Sequence, residues 1–132
     1  MRTEIQPELW VRDTAAAVRY YVEAFGATVE HRVGEPDDPD GVVQLAIGEA
    51  RFWVSAGSDE LGRLLPGELG GATGRTLLVV QEPGAVADAA VHAGGRITSP
   101  VRTEHGWLLG RLIDPFGHEW EIGRPLGDWP PR

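Results

Sequence analysis

Between Thr14 and Phe25 the apolar residues Ala17, Val18, Tyr21, Val22 and Phe25 recur three and four apart, the spacing of one helix face. Asp13 stands at the N-cap position, and Gly26 stands where the chain needs a positive φ to leave the helix. A helix over Thr14–Phe25 is therefore predicted. The flanking stretches alternate instead. In residues 5–11, Ile5, Leu9 and Val11 share one face while Gln6, Glu8 and Trp10 share the other, which predicts a half-buried strand. Further strands are predicted over residues 27–33, 42–47 and 51–55, the last two closed into a hairpin at Gly48-Glu49. The acidic run from Gly34 to Gly41 is too broken by proline for a strand. It also lacks the terminal carboxylate of an EF-hand loop, so it reads as a solvated turn.

Residues 57–74 lose all periodicity, with five glycines after Gly57, one proline and a short Leu61/Leu64/Leu65 cluster. They read as a linker. The pattern then restarts. A strand is predicted over 75–80, Pro83 opens a small Ala-rich helix over 84–93, and Gly94-Gly95 stops it. Strands follow over 96–101, 107–113 and 118–122, the last pair joined through Asp114-Pro115-Phe116-Gly117. In the final strand His118, Trp120 and Ile122 point one way, and Glu119 and Glu121 the other. The two halves repeat at an offset of about 68 residues: Phe52-Trp53-Val54 answers Trp120-Glu121-Ile122. Each β-α-β-β-β half has one helix for one sheet face and leaves the other face bare. Two such sheets set edge to edge would curl around a shared cleft. A single eight-stranded sandwich without a cleft is the alternative.

Composition narrows the functions. A chain of 132 residues with 42% hydrophobic and 24% charged residues is one soluble domain. The formal net charge of −8 opposes nucleic acid and acidic membranes as partners. All 12 basic residues are arginine, which excludes lysine Schiff-base chemistry and favours planar recognition of carboxylates. Without cysteine there is no disulfide, thiolate nucleophile or cysteine metal site. The N-terminus has no apolar signal region and no stretch reaches membrane-spanning length, so a cytoplasmic protein is expected. Ser55, Ser58 and Ser99 lack a nucleophile-elbow setting, and Gly70-Gly71-Ala72-Thr73-Gly74 precedes a strand rather than a phosphate-binding helix.

The paired modules, Val11-Arg12-Asp13 before a helix ending Phe25-Gly26-Ala27, and Asp114-Pro115-Phe116-Gly117-His118 before the last strand resemble the vicinal oxygen chelate superfamily. Within it the chain is most similar to the glyoxalase, bleomycin-resistance and dioxygenase-like branch called PhnB-like. The resemblance covers about residues 4–124. It implies an α+β fold in which two β-α-β-β-β modules form a curled eight-stranded mixed sheet around a cleft. It also implies one domain over 1–132, with module 1 at about 4–56, a linker at 57–74, module 2 at about 75–124 and a tail at 125–132. A homodimer is implied too, and the apolar tail at Trp129-Pro130-Pro131 could cap its interface.

Family members that bind a metal place ligands on the first and last strands of each module. By the repeat those positions fall at Gln6, Trp53, Arg75 and Glu121. Only Glu121 is an ordinary ligand, Trp53 has no donor atom, and Arg75 is permanently positive. No metal and no other cofactor is therefore expected; if any is held, it is a divalent ion. His118 on the Trp120 face reads as structural, and His105 sits in a turn at the cleft mouth. Arg75 and Glu121 are expected to pair across the cleft floor. That pair either fixes the modules in register or lets Arg75 bind a ligand carboxylate or phosphate, with Glu121 as acceptor or catalytic base. Alternation adds Trp10, Gln44, Trp107 and Arg111 to the cleft face, an aromatic wall with a few polar groups. The first expectation is a protein that binds a small aromatic or amphipathic, anionic molecule. The competing readings are a metal-dependent lyase, isomerase or dioxygenase using Glu121, and metal-free acid–base catalysis by the same carboxylate.

Overall fold

The computed structural model describes residues 1–130. Its order is β1 (Glu8–Val11), α1 (Thr14–Phe25), β2 (Thr28–Val33), β3 (Val42–Ile47), β4 (Ala50–Ala56), α2 (Pro66–Leu69), β5 (Arg75–Val79), α3 (Pro83–His92), β6 (Arg96–Glu104), β7 (Trp107–Ile113) and β8 (Glu119–Pro125). The local signals act as read. Asp13 accepts from Ala16 N at 3.1 Å, and Gly26 leaves α1 at φ 68°. Gly48 turns the β3–β4 hairpin at φ 59°. The irregular stretch after β4 is not featureless. Ser58 and Arg63 form an antiparallel bridge, and Pro66–Leu69 makes one helical turn. Ile5 falls before β1 and is 94% exposed, so it contributes nothing to the strand face assigned to it.

The architecture is α+β with two mixed sheets, ordered β1-β4-β3-β2 and β5-β8-β7-β6. In each, the first strand runs parallel to the last strand of its module. The expected curled eight-stranded sheet resolves into two sheets of four. Among the described residues no strand ladder joins them.

The reason lies in which faces meet. Alternation puts Val43, Leu45, Phe52 and Val54 on the helix side of the first sheet, and Leu112, Trp120 and Ile122 on the helix side of the second. These two sides pack against each other around α1 and α3. The Trp120 ring lies 4.8 Å from Phe25 and 5.7 Å from Phe52, its repeat equivalent, and the Tyr20 hydroxyl donates to Ala90 O at 3.1 Å. One core therefore serves both modules. Three large aromatic rings bury more apolar surface by meeting one another than by staying in separate half-cores. The consequence for function is geometric: the polar face of each sheet is the one turned away from this shared core.

Asp114 locks this arrangement. Its carboxylate is buried and accepts from the Tyr21 hydroxyl, from Trp120 Nε1 at 2.9 Å, and from the backbone N–H groups of Phe116 and His118 at 2.9 and 3.0 Å. The turn that launches β8 is thus tied to the helix of the other module.

Candidate functional site

On the outward face of the first sheet, β3 and β4 place Gln44 directly opposite Trp53, and β1 runs alongside with Glu8 level with Trp53. Gln6, just before β1, accepts from Trp53 Nε1 at 2.7 Å and from Gln44 Nε2 at 2.9 Å through the same oxygen. His31 on β2 stands edge-on to Trp53, ring centroids 6.1 Å apart. Three of the residues assigned from sequence thus form one hydrogen-bonded cluster, with Trp10 further along the same face of β1.

The outward face of the second sheet carries the charges. Arg111 on β7 lies opposite Glu121 on β8, and its Nε donates to Glu121 Oε2 at 3.0 Å. The two terminal nitrogens of Arg111 grip Glu104 at 2.9 and 3.1 Å in a bidentate fork. Arg75 on β5 reaches the other Glu121 oxygen, Nε to Oε1 at 3.3 Å. The hydrogen bonds to Arg111 hold the Glu104 carboxyl below its usual range, and in return Glu104, followed by Glu121, pushes the Arg111 guanidinium up.

Arg75 and Glu121 do pair, but both belong to the second module, on neighbouring parallel strands. Their pair therefore does not set one module against the other. The contacts that do are Tyr21 with Asp114, and His118 Nε2 with Trp10 O at 2.8 Å. His105 sits at φ 54° in a two-residue hairpin turn with Gly106 at φ 80°, and its ring is 87% exposed.

Sequence alternation does not assign Glu104 to the site, for a physical reason. Strand β6 runs three residues past Val101, and its register against β7 shifts twice, between Ile97 and Ser99 and again between Ser99 and Arg102. Each shift upsets the alternation from which faces are read. The sequence offers Trp129 as part of a tail that caps an interface or is disordered. Within the chain it packs edge-on to Trp107 with centroids 5.3 Å apart, behind a bond from Leu126 N to Gly106 O at 2.8 Å. Of the tail residues Trp129-Pro130-Pro131, the last lies outside the described residues.

Between the modules, where β1 passes the starts of β5 and β8 beneath the 62–74 segment, lies a cavity of about 400 Å³. Trp10, Leu64, Leu69, Arg75, His118 and Glu119 line it. Of the assigned site residues, then, Trp10 and Arg75 share this cavity. Gln6, Gln44 and Trp53 lie on one outward face, and Trp107, Arg111 and Glu121 on the other.

A profile of the Glyoxalase/Bleomycin resistance protein/Dioxygenase superfamily matches residues 5–122, nearly the whole of both modules. The chain belongs to that superfamily. An uncharacterized protein of Mycobacterium bovis is 31% identical over 128 residues, spanning 92% of this chain and 83% of its own. Superfamily neighbours of solved structure share the fold at lower identity. TioX from Micromonospora superposes with TM-score 0.72 at 20% identity, covering 96% of this chain and 98% of its own. A mutant of the fosfomycin resistance protein FosX from Listeria monocytogenes, complexed with Mn(II) and 1S,2S-dihydroxypropylphosphonic acid, superposes with TM-score 0.71 at 14% identity, covering 96% and 94%.

The residues at the superfamily's metal positions do not fit a divalent ion. Both oxygens of Glu121 are taken by guanidinium groups, and the Gln6 oxygen already accepts two N–H groups. Among the described residues no three His, Asp or Glu side chains gather closely enough to hold an ion. An ion at Glu121 would also face two fixed positive charges. Like unit charges 4 Å apart repel by about 4 kcal/mol at an effective dielectric near 20, and a divalent ion doubles that for each guanidinium.

Proposed function

We propose that this chain is a PhnB-like, cytoplasmic member of the superfamily that binds a small aromatic or amphipathic, anionic molecule without a complete metal site. The observation that carries the reading is the pair of guanidinium groups on Glu121. Where a metal-dependent relative presents a cation, this chain presents Arg111 locked by two carboxylates and Arg75 with its terminal nitrogens still unengaged among the described residues. Arg75 thus has the capacity to take a carboxylate or phosphate in a two-pronged contact. Trp53 and Trp107, each near one of the polar clusters, supply flat apolar walls.

These two clusters stand on separate sheets that no strand ladder joins among the described residues, so a second copy is one way for a ligand to touch both. We therefore propose a homodimer in which the first-sheet face of each protomer covers the second-sheet face of its partner. The half-exposed Leu77 and Val79, on the same face of β5 as Arg75, favour such a cover. The metal-dependent alternative would have to dislodge both arginines from Glu121 before an ion could enter.

Tryptophan fluorescence tests the binding reading. Titration with planar aromatic carboxylates is expected to quench emission, with the response lost in Trp53→Ala and weakened in Arg75→Gln. No response across a broad library of such anions would count against it.

A further inference from the structure

The 400 Å³ cavity between the modules carries two carboxylates without a partner among the described residues, Glu8 and Glu119, and the Arg75 guanidinium, which is paired only in part. Arg75 makes its one contact through Nε, to Glu121, and its two terminal nitrogens have no partner among the described residues. Glu119 is level with Arg75 on the neighbouring parallel strand, yet the two form no ion pair, and Glu119 has no hydrogen bond among the described residues. Glu8, on the other module's β1, also lines the space and is likewise without a partner among the described residues. His118 is fixed there as well. A carbonyl only accepts, so in the neutral ring the contact with Trp10 O puts the proton on Nε2 and leaves Nδ1 as a lone pair. Trp10, Leu64, Pro66 and Leu69 give the remaining wall its apolar part, and Thr73 and Thr76 add polar groups to it.

We infer that this cavity is a binding site for a small zwitterion with an apolar body, an amino acid or a close amino-carboxylate analogue. A simple anion would gain Arg75 but would sit against Glu119 and Glu8. A simple cation would gain those carboxylates but would meet Arg75. A ligand bearing both charges pairs each with its complement: carboxylate to the terminal nitrogens of Arg75, ammonium to Glu119, with Nδ1 of His118 as a further acceptor. Its side chain lies along Leu64 and Leu69 against the Trp10 ring. The volume is at the small end of the roughly 300–1,000 Å³ typical of ligand sites, which suits a molecule of that size. Both charges come from the parallel β5–β8 pair, and the apolar wall comes from β1 and the 62–74 segment, so the site exists only where the two modules meet.

The inference rests on the reading that Arg75 takes a ligand anion, and it adds the counter-group and the place. Isothermal titration calorimetry with L-phenylalanine and L-leucine, set against 3-phenylpropionate and phenethylamine, tests it on the full chain. The amino acids are expected to bind, and the analogues that lack either charge to bind about ten-fold more weakly or less. Glu119→Gln, an isosteric change at the rim, is expected to erase the advantage of L-phenylalanine over 3-phenylpropionate. Arg75→Gln is expected to erase its advantage over phenethylamine. Binding of 3-phenylpropionate as tight as that of L-phenylalanine overturns the proposal, as does binding of neither amino acid, or an unchanged preference in Glu119→Gln. The two readings fail separately. Quenching by aromatic carboxylates that depends on Trp53, without any amino-acid binding, leaves the sheet-face reading in place and removes this one. Amino-acid binding that is indifferent to Trp53→Ala does the reverse.

Discussion

Asp114 is 3% exposed, and its two oxygens accept from four donors drawn from α1, β8 and its own turn. Replacing it with Asn keeps the shape but swaps a charged acceptor for one amide oxygen and an unwanted donor. The expected loss is about 2–3 kcal/mol of unfolding free energy, read from urea melts, with the backbone of the turn retained. Tyr21→Phe removes one hydrogen bond to a charged group and should cost about 1.5–3 kcal/mol. It should also change the alkaline limb. Burial, with the Asp114 carboxylate adding to it, pushes the Tyr21 hydroxyl well above its ordinary value of 10.0. The folded chain therefore keeps that proton after the unfolded chain has lost it. Stability is complete below pH 10.0 and declines as pH rises through it towards the folded value. Urea midpoints measured on both sides of that pH should fall on the alkaline side in the native protein and fall less in Tyr21→Phe. The turn itself is legible in the sequence because Asp-Pro-Phe-Gly is local chemistry. The Tyr21 partnership spans 93 positions, and no periodicity reports it.

At the scale of elements, three neighbouring strands bring Glu104, Arg111 and Glu121 into one row, and their side chains are between 15% and 25% exposed. A double-mutant cycle between Arg111→Ala and Glu104→Gln should return a favourable coupling, and additivity would show that the fork contributes nothing. Because Arg111 holds the Glu104 carboxyl below its ordinary 4.5, that contribution is present above this pH and is lost as pH falls through it. Glu104→Gln should flatten that acid limb. Next to the row, a Cβ on Gly123 would stand 2.3 Å from Leu108 O and 2.6 Å from a Leu109 methyl carbon. Gly123→Ala should therefore cost about 1–3 kcal/mol through overpacking, visible as a lowered thermal midpoint. Most of these elements can be read from alternation and punctuation: α1, β3 and β7 fall where the pattern puts them. Glu104 is hidden because two register shifts in β6 break the two-residue period that assigns faces.

For the whole molecule, the repeat correctly announces two modules, since Phe52 and Trp120 occupy matching places and meet in the core. Which faces of the modules meet is not legible. Each sheet has an apolar side and a mixed side, and either pairing satisfies the alternation. The choice falls to the bulk of Phe25, Phe52 and Trp120, which is a matter of packing rather than pattern. With the mixed faces away from that core, the assigned site residues divide between two sheets, and Trp10 and Arg75 meet in the cavity between them. Sedimentation equilibrium should accordingly report a dimer, and a monomer at all concentrations would remove the proposed joining of the two faces. Arg75 and Arg111 hold both oxygens of the Glu121 carboxylate, and on the proposed reading they stand where a metal ion would. Elemental analysis of the protein purified without chelators, run alongside Glu121→Ala, tests this most directly. Manganese, iron, nickel and zinc are expected far below one equivalent per chain in both proteins. One equivalent of any of them in the native protein, lost in Glu121→Ala, would contradict it.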